Sequence, residues 1–166
     1  MHPEAVRLIA DLELAPHPEG GFYRESWRSP LVANLDGNPA GPEGDRSCGT
    51  AIYYLLAGED VSRLHRLKTD EIFHLYAGGP LVIDILEEDH GCRRIELGQD
   101  IVVGQVFQAV VPAGCWFGAS LAEKEAFALV GCTVAPGFDF ADFELGERAS
   151  LLAAFPDHED IIRKLT

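Results

Sequence analysis

An imidazole and a carboxylate stand six residues apart in Ser62-Arg-Leu-His65-Arg-Leu-Lys-Thr-Asp-Glu71-Ile-Phe-His74-Leu-Tyr-Ala-Gly78, and that pair of side chains is enough to take a proton from one atom and return it to another. Each lies in an extended run ahead of a glycine turn, so the spacing lets both converge inside a β-barrel. Alternation puts Arg63, His65 and Leu67 on one face, and Glu71, Phe73 and Leu75 on one face of the next strand. An Arg, a His and a Glu directed into an apolar chamber are costly unless they pair or meet a ligand. The expected ligand is a small acidic or hydroxylated molecule, with Arg63 clamping a carboxylate or phosphate and His65 and Glu71 sharing proton transfer. The plainer alternative is a structural His–Glu hydrogen bond in a packed barrel. His74, three residues after Glu71, falls on the opposite face of a regular strand, toward solvent, a helix or a partner subunit, and a bulge would turn it inward.

A second stretch, Gly104-Gln-Val-Phe-Gln108-Ala-Val-Val-Pro112-Ala-Gly114-Cys-Trp116-Phe117, has the apolar run, Pro and Gly of a strand ending in a tight turn. Gln108 is a candidate polar group of the pocket, and Trp116 and Phe117 are core or pocket wall. Pro16-His-Pro-Glu-Gly-Gly-Phe-Tyr23-Arg24-Glu25 joins two prolines and paired glycines to aromatic and charged residues at strand alternation. Tyr23 and Arg24 lie on opposite faces, so one of the two can reach the barrel mouth; an edge strand crossing to a partner is the competing reading.

The elements that must hold these groups are short strands. Extended runs recur at 22–28, 50–57, 61–67, 71–77, 81–87, 93–97, 105–111, 115–121 and 126–134, with turn signals between nearly all of them. So many short strands point to a closed or two-sheet β structure, best a jelly roll, rather than βαβ units. Pro3–Leu12 reads as a short helix packed on the barrel as a lid, and helices return at 150–155 and 157–165, split by Pro156. The polar Gly/Pro segment 36–45 is a candidate lid loop, 87–91 a hairpin tip, and the aromatic-rich segment 135–143 a plug over one barrel end.

At 166 residues, 47% of them apolar, the chain suffices for one domain spanning 1–166 with a real core. A formal charge of -14 without any Lys/Arg cluster argues against nucleic acid and against anionic membrane surfaces. The start of the chain has no signal pattern and no run approaches a membrane span, so a cytoplasmic protein is expected. The four cysteines are scattered without a CxxC pair and read as reduced thiols.

Together these stretches resemble the paired motifs of the cupins: His65, Glu71 and Gly78 match the first motif, and Gly104, Pro112 and Gly114 the second. Leu67 and Phe117 replace two of the four histidine and glutamate ligands those motifs carry. The segments 16–25, 62–74, 111–119 and 130–140 look like one subgroup, Cupin_5, a domain of unknown function. The resemblance implies an all-β double-stranded β-helix (jelly roll) with short N- and C-terminal helices, in a homodimer. Three functions are expected in consequence. One is a metal-independent isomerase or epimerase of a sugar or sugar-acid type metabolite, with His65 and Glu71 as acid-base groups and Arg63, Tyr23, Arg24, His74, Gln108, Trp116 and Phe117 around the substrate. The second is an enzyme using a divalent transition metal on His65, Glu71 and either His74 or Gln108. The third is a non-catalytic ligand-binding barrel.

Overall fold

The structure is a computed structural model that describes residues 1–37, 41–87 and 91–166. Among these, the chain runs α1 (Pro3–Asp11), β1 (Ala15–Pro16), β2 (Phe22–Arg28), β3 (Val32–Asn34), β4 (Asp45–Ser47), β5 (Thr50–Ala57), β6 (Val61–Leu67), β7 (Glu71–Gly78), β8 (Leu81–Glu87), β9 (Gly91–Leu97), β10 (Gln108–Val111), β11 (Trp116–Leu121), β12 (Phe127–Val134), β13 (Phe143–Leu145), α2 (Arg148–Ala154) and α3 (Glu159–Leu165). A six-stranded sheet in the order β1-β2-β5-β12-β7-β10 faces a five-stranded sheet in the order β13-β6-β11-β8-β9, every pairing antiparallel. β3 and β4 form a separate hairpin. The two facing sheets have the arrangement of a jelly roll.

The main core fills the space between the sheets, with Tyr54, Leu56, Phe73 and Val130 from one side meeting Ile83, Ile85, Phe117 and Ala119 from the other. Central strands are covered on both faces, which is why β5 and β8 read as nearly continuous apolar runs rather than as alternating ones. On β5, Leu55 and Ala57 turn outward beneath α1 with Ala5 and Leu129. On the five-stranded sheet, Leu64 and Leu86 turn outward beneath Leu151, Phe155, Ile162 and Leu165 of the C-terminal segment. Helix α1 therefore packs on the outer face of a sheet and is not a lid over the interior, correcting that expectation.

Three register shifts decide which side chains reach the interior. β2 shifts against β5 at Ser26, between Glu25↔Ile52 and Trp27↔Ala51. β6 shifts against β11 between Phe117↔His65 and Ala119↔Ser62. β7 shifts against β12 at Tyr76, between Val130↔Leu75 and Leu129↔Ala77. Each such bulge reverses which residues face inward on one side of it. The expected lid segment 36–45 is closed at its base by Leu35 N–H donating to the Gly44 carbonyl, and Asp36 accepts from Gly44 N–H; its residues 38–40, like the hairpin tip at 88–90, lie outside the described residues.

Candidate functional site

A cavity of about 480 Å³ opens between the sheets and is lined by side chains from β2, β5, β6, β7, β12 and β13, a size suited to a small metabolite. His65 from β6 and Glu71 from β7 both line it, and because β6 and β7 belong to different sheets the two groups approach the cavity from opposite walls. Between them comes a residue that the strand pattern does not point to. Glu19 lies in the turn before β2, and its carboxylate accepts from Ser62 Oγ at 2.9 Å while its second oxygen sits 3.2 Å from His65 Nε2 and 3.5 Å from His17 Nδ1. The turn closes through His17 N–H to the Gly21 carbonyl and Gly20 N–H to the His17 carbonyl. Gly20 (φ 114°) and Gly21 (φ 68°) occupy conformations that favour glycine, and a Cβ on Gly20 would collide with the Val61 carbonyl. The Pro-His-Pro-Glu-Gly-Gly signature is the sequence signal that could have found Glu19 and His17.

Protonation follows from the partners. His65 Nδ1 lies 2.7 Å from the Arg63 carbonyl, which can only accept, so Nδ1 carries a proton and Nε2 faces Glu19 as the exchangeable position. Nε2 is then the position open to a proton, with the Glu19 carboxylate beside it to pair with the imidazolium that forms. His17 is the reverse: its Nδ1 accepts the Glu19 N–H at 3.2 Å, and burial lowers its pKa below 6.5 despite the nearby Glu19 carboxylate, so it is neutral at pH 7. Glu71 is only 8% exposed; burial, reinforced by the charge of Glu19 and opposed by a hydrogen bond from the Cys132 thiol, pushes its pKa to about 8. At neutral pH it is a carboxylic acid with a proton to give. The bulge at Ser26 brings Arg28 to the cavity beside Tyr23 and Glu25, where regular alternation would have turned it out. Phe138, Phe140 and Phe143 form the remaining wall, their rings 5.0–6.2 Å apart in edge-to-face contacts. The segment expected as a plug is thus a wall of the cavity.

The family model described as Cupin superfamily (DUF985), Cupin_5, matches residues 6–146. The chain belongs to this cupin family. An uncharacterized protein of Saccharomyces cerevisiae, YML079W, is 32% identical over 145 residues, covering 82% of this chain and 72% of the yeast protein. A hypothetical protein from Leishmania major has a structure similar to this cupin with a TM-score of 0.88 at 35% identity, covering 100% of this chain and 99% of that one. Protein SO0799 from Shewanella oneidensis gives a TM-score of 0.86 at 38% identity, covering 100% and 98%. Oxalate decarboxylase from Bacillus subtilis, at 16% identity, a TM-score of 0.53 and coverage of 91% of this chain and 36% of its own, shares the fold alone.

The other residues expected around the substrate divide in this cupin. Tyr23 lines the cavity. Arg63 does not: the bulge on β6 breaks its alternation with His65, and its guanidinium reaches the carbonyls of Pro18 and Glu19, fastening the turn that carries Glu19. Arg24 lies on the outer face of β2, over the Tyr53 ring and 3.3 Å from Glu13. His74 follows regular alternation, because the β7 bulge comes after it; away from the cavity it bonds Gln108 at 2.9 Å and Thr133 at 3.3 Å, which also takes Gln108 out of the pocket. Trp116 turns outward to the C-terminal helices with the Arg66 guanidinium over its ring. Phe117 is core, its ring 4.1 Å from that of His65, which it backs without lining the cavity.

The donors do not fit the metal centre that the paired cupin motifs imply. Leu67 and Phe117, at two ligand positions, offer no donor atom, and the substitutes His74 and Gln108 bond each other outside the cavity. Among the described residues no group of three or more His, Cys, Asp or Glu is disposed to hold a metal ion.

Proposed function

We propose that the cavity binds a small hydroxylated carbonyl compound and moves a proton on it, as a metal-independent isomerase or epimerase. The observation that carries this reading is the opposition, across one cavity, of a neutral acid, Glu71, and a His65–Glu19 pair holding an exchangeable proton position. Removing a proton from carbon beside a carbonyl needs a base at that carbon and a donor at the oxygen as negative charge builds there. The His65–Glu19 pair accepts the carbon-bound proton, the C–H electron pair becomes the C=C bond of an enol, and the carbonyl oxygen takes the Glu71 proton. Return of a proton to the neighbouring carbon, as the hydroxyl on the first carbon gives its proton to the Glu71 carboxylate, yields the isomer, and return to the opposite face of the same carbon, as the enol O–H gives its proton back to Glu71, yields the epimer. Electrons balance without a redox partner. Arg63, expected to hold an acidic group, is committed to the turn at Pro18 and Glu19, so hydroxyl groups rather than a carboxylate are the recognised feature.

The test is solvent exchange. Incubated with a panel of aldoses and ketoses in D₂O, the protein should wash deuterium into the carbon next to the carbonyl of its substrate, followed by proton NMR. His65→Ala should abolish the exchange, and Glu71→Gln should slow it roughly 10²-fold or more while leaving the fold intact. Exchange that survives His65→Ala overturns the assignment. No exchange with any sugar, alongside a ligand that raises the melting temperature only when His65 is present, would make this a binding barrel instead.

A further inference from the structure

Resting on the reading of the cavity as the ligand site, we propose that its ligand carries an amine: a protonated amino group on a small polyhydroxylated molecule of the amino-sugar kind. The electrostatics of the walls point to this class. Glu19 and Asp139 line the cavity beside the neutral acid Glu71, and Glu25 is balanced by Arg28, the one Lys or Arg among the described lining residues. That arginine is committed within the protein: Nε and Nη2 bond the two oxygens of Glu25 at 3.0 and 2.7 Å, and Nη1 donates to the Phe138 carbonyl at 3.1 Å. With a protein acceptor on each of its nitrogens, Arg28 has little left for a substrate carboxylate, and the chain's net charge of -14 repels anions approaching the mouth.

The aromatic wall supplies the second half of the argument. Phe138, Phe140 and Phe143 turn ring faces and edges toward one another over the same space that Asp139 flanks, and Tyr23 closes it from β2. The negative face of an aromatic ring attracts a cation, and a carboxylate beside it completes the recognition of an ammonium group. The segment is held in place by Gly137 N–H donating to the Ser47 carbonyl at 2.7 Å and Phe138 N–H to Thr50 Oγ1 at 2.9 Å, so these rings are placed before a ligand arrives. Flat apolar rings also accept the C–H face of a sugar ring, which leaves its hydroxyls to Glu19, His17 and Thr50.

Calorimetric titration of the full chain at pH 7 with D-glucosamine, D-glucose and D-glucuronate separates the classes, because the three differ chiefly in charge. Glucosamine should bind roughly tenfold or more tighter than glucose, and glucuronate should bind weakest. Asp139→Asn should reduce the glucosamine preference, and Glu25→Gln, which releases Arg28, should strengthen glucuronate binding; circular dichroism verifies that both variants are folded. Equal binding of glucose and glucosamine, tighter binding of glucuronate, or no heat with glucosamine at tens of millimolar overturns the amine assignment. Calorimetry reads binding without turnover: an amine that binds but undergoes no exchange in D₂O leaves this inference standing and removes the isomerase, whereas exchange on a neutral sugar with no amine binding does the reverse.

Discussion

At the scale of single residues, the acid of the site announces itself through pH. Glu71 holds its proton to about pH 8 in the folded protein, against an ordinary value of 4.5, so between those limits the folded state binds more protons than the unfolded one. Stability from this group is therefore fully present below pH 4.5 and lost as the pH rises toward 8. Glu71→Gln, which stays neutral throughout, should flatten that fall, as measured by urea denaturation at pH 5, 6.5 and 8. His17 works the other way: its pKa is depressed below 6.5 by burial, so its contribution is lost as the pH falls below 6.5, and that acid limb should survive in the Glu71→Gln variant. The imidazole and carboxylate of this site were legible from their spacing alone, since types and alternation are local properties. That Glu71 is an acid at neutral pH was not, because its pKa depends on the burial and neighbouring charge that three strands and a distant turn create.

At the scale of elements, the strands fell close to where apolar runs and turn residues put them: β2, β5, β6 and β8 match their expected limits, and β7 and β12 differ by one residue at an end. β10 begins three residues later than expected and the short strands β1, β3, β4 and β13 were not expected, but the departures that alter the site concern faces. Arg63 and Arg28 exchange places with respect to the cavity because β6 and β2 each carry a bulge against a neighbouring strand. A bulge is a property of a pair of strands, so no reading of one strand by itself could have placed it. The turn carrying Glu19 is the most sensitive element of the site. Gly20→Ala would impose a Cβ on a φ of 114° and against the Val61 carbonyl, and should cost about 2 kcal/mol or more in urea denaturation while displacing Glu19 from His65. Full stability in that variant would mean that the turn can move freely and does not position the carboxylate.

At the scale of the whole molecule, helices cover the outer face of the five-stranded sheet, whereas α1 covers only part of the six-stranded one. Val102 is 91% exposed, and Ile101, Val103, Phe107, Val110 and Tyr76 are exposed with it. We propose that this apolar surface is buried between two copies of the chain, which would keep it from water. Light scattering should then give twice the 18.1 kDa chain mass, and Val102→Asp with Phe107→Asp should return the monomer; a monomeric parent protein would overturn the proposal. No helix among the described residues is long and apolar enough to cross a membrane. Sequence by itself determined most of the strands, the cupin resemblance and the candidacy of His65 and Glu71, because apolar periodicity and motif spacing are written locally. Tertiary structure decided that Glu19 and His17 join the site, that Arg63 leaves it for the turn, and that Arg28 enters it already paired. Those outcomes depend on strand register, on a turn folded back onto a strand more than forty residues away, and on the loss of water around charges that only the closed pair of sheets removes.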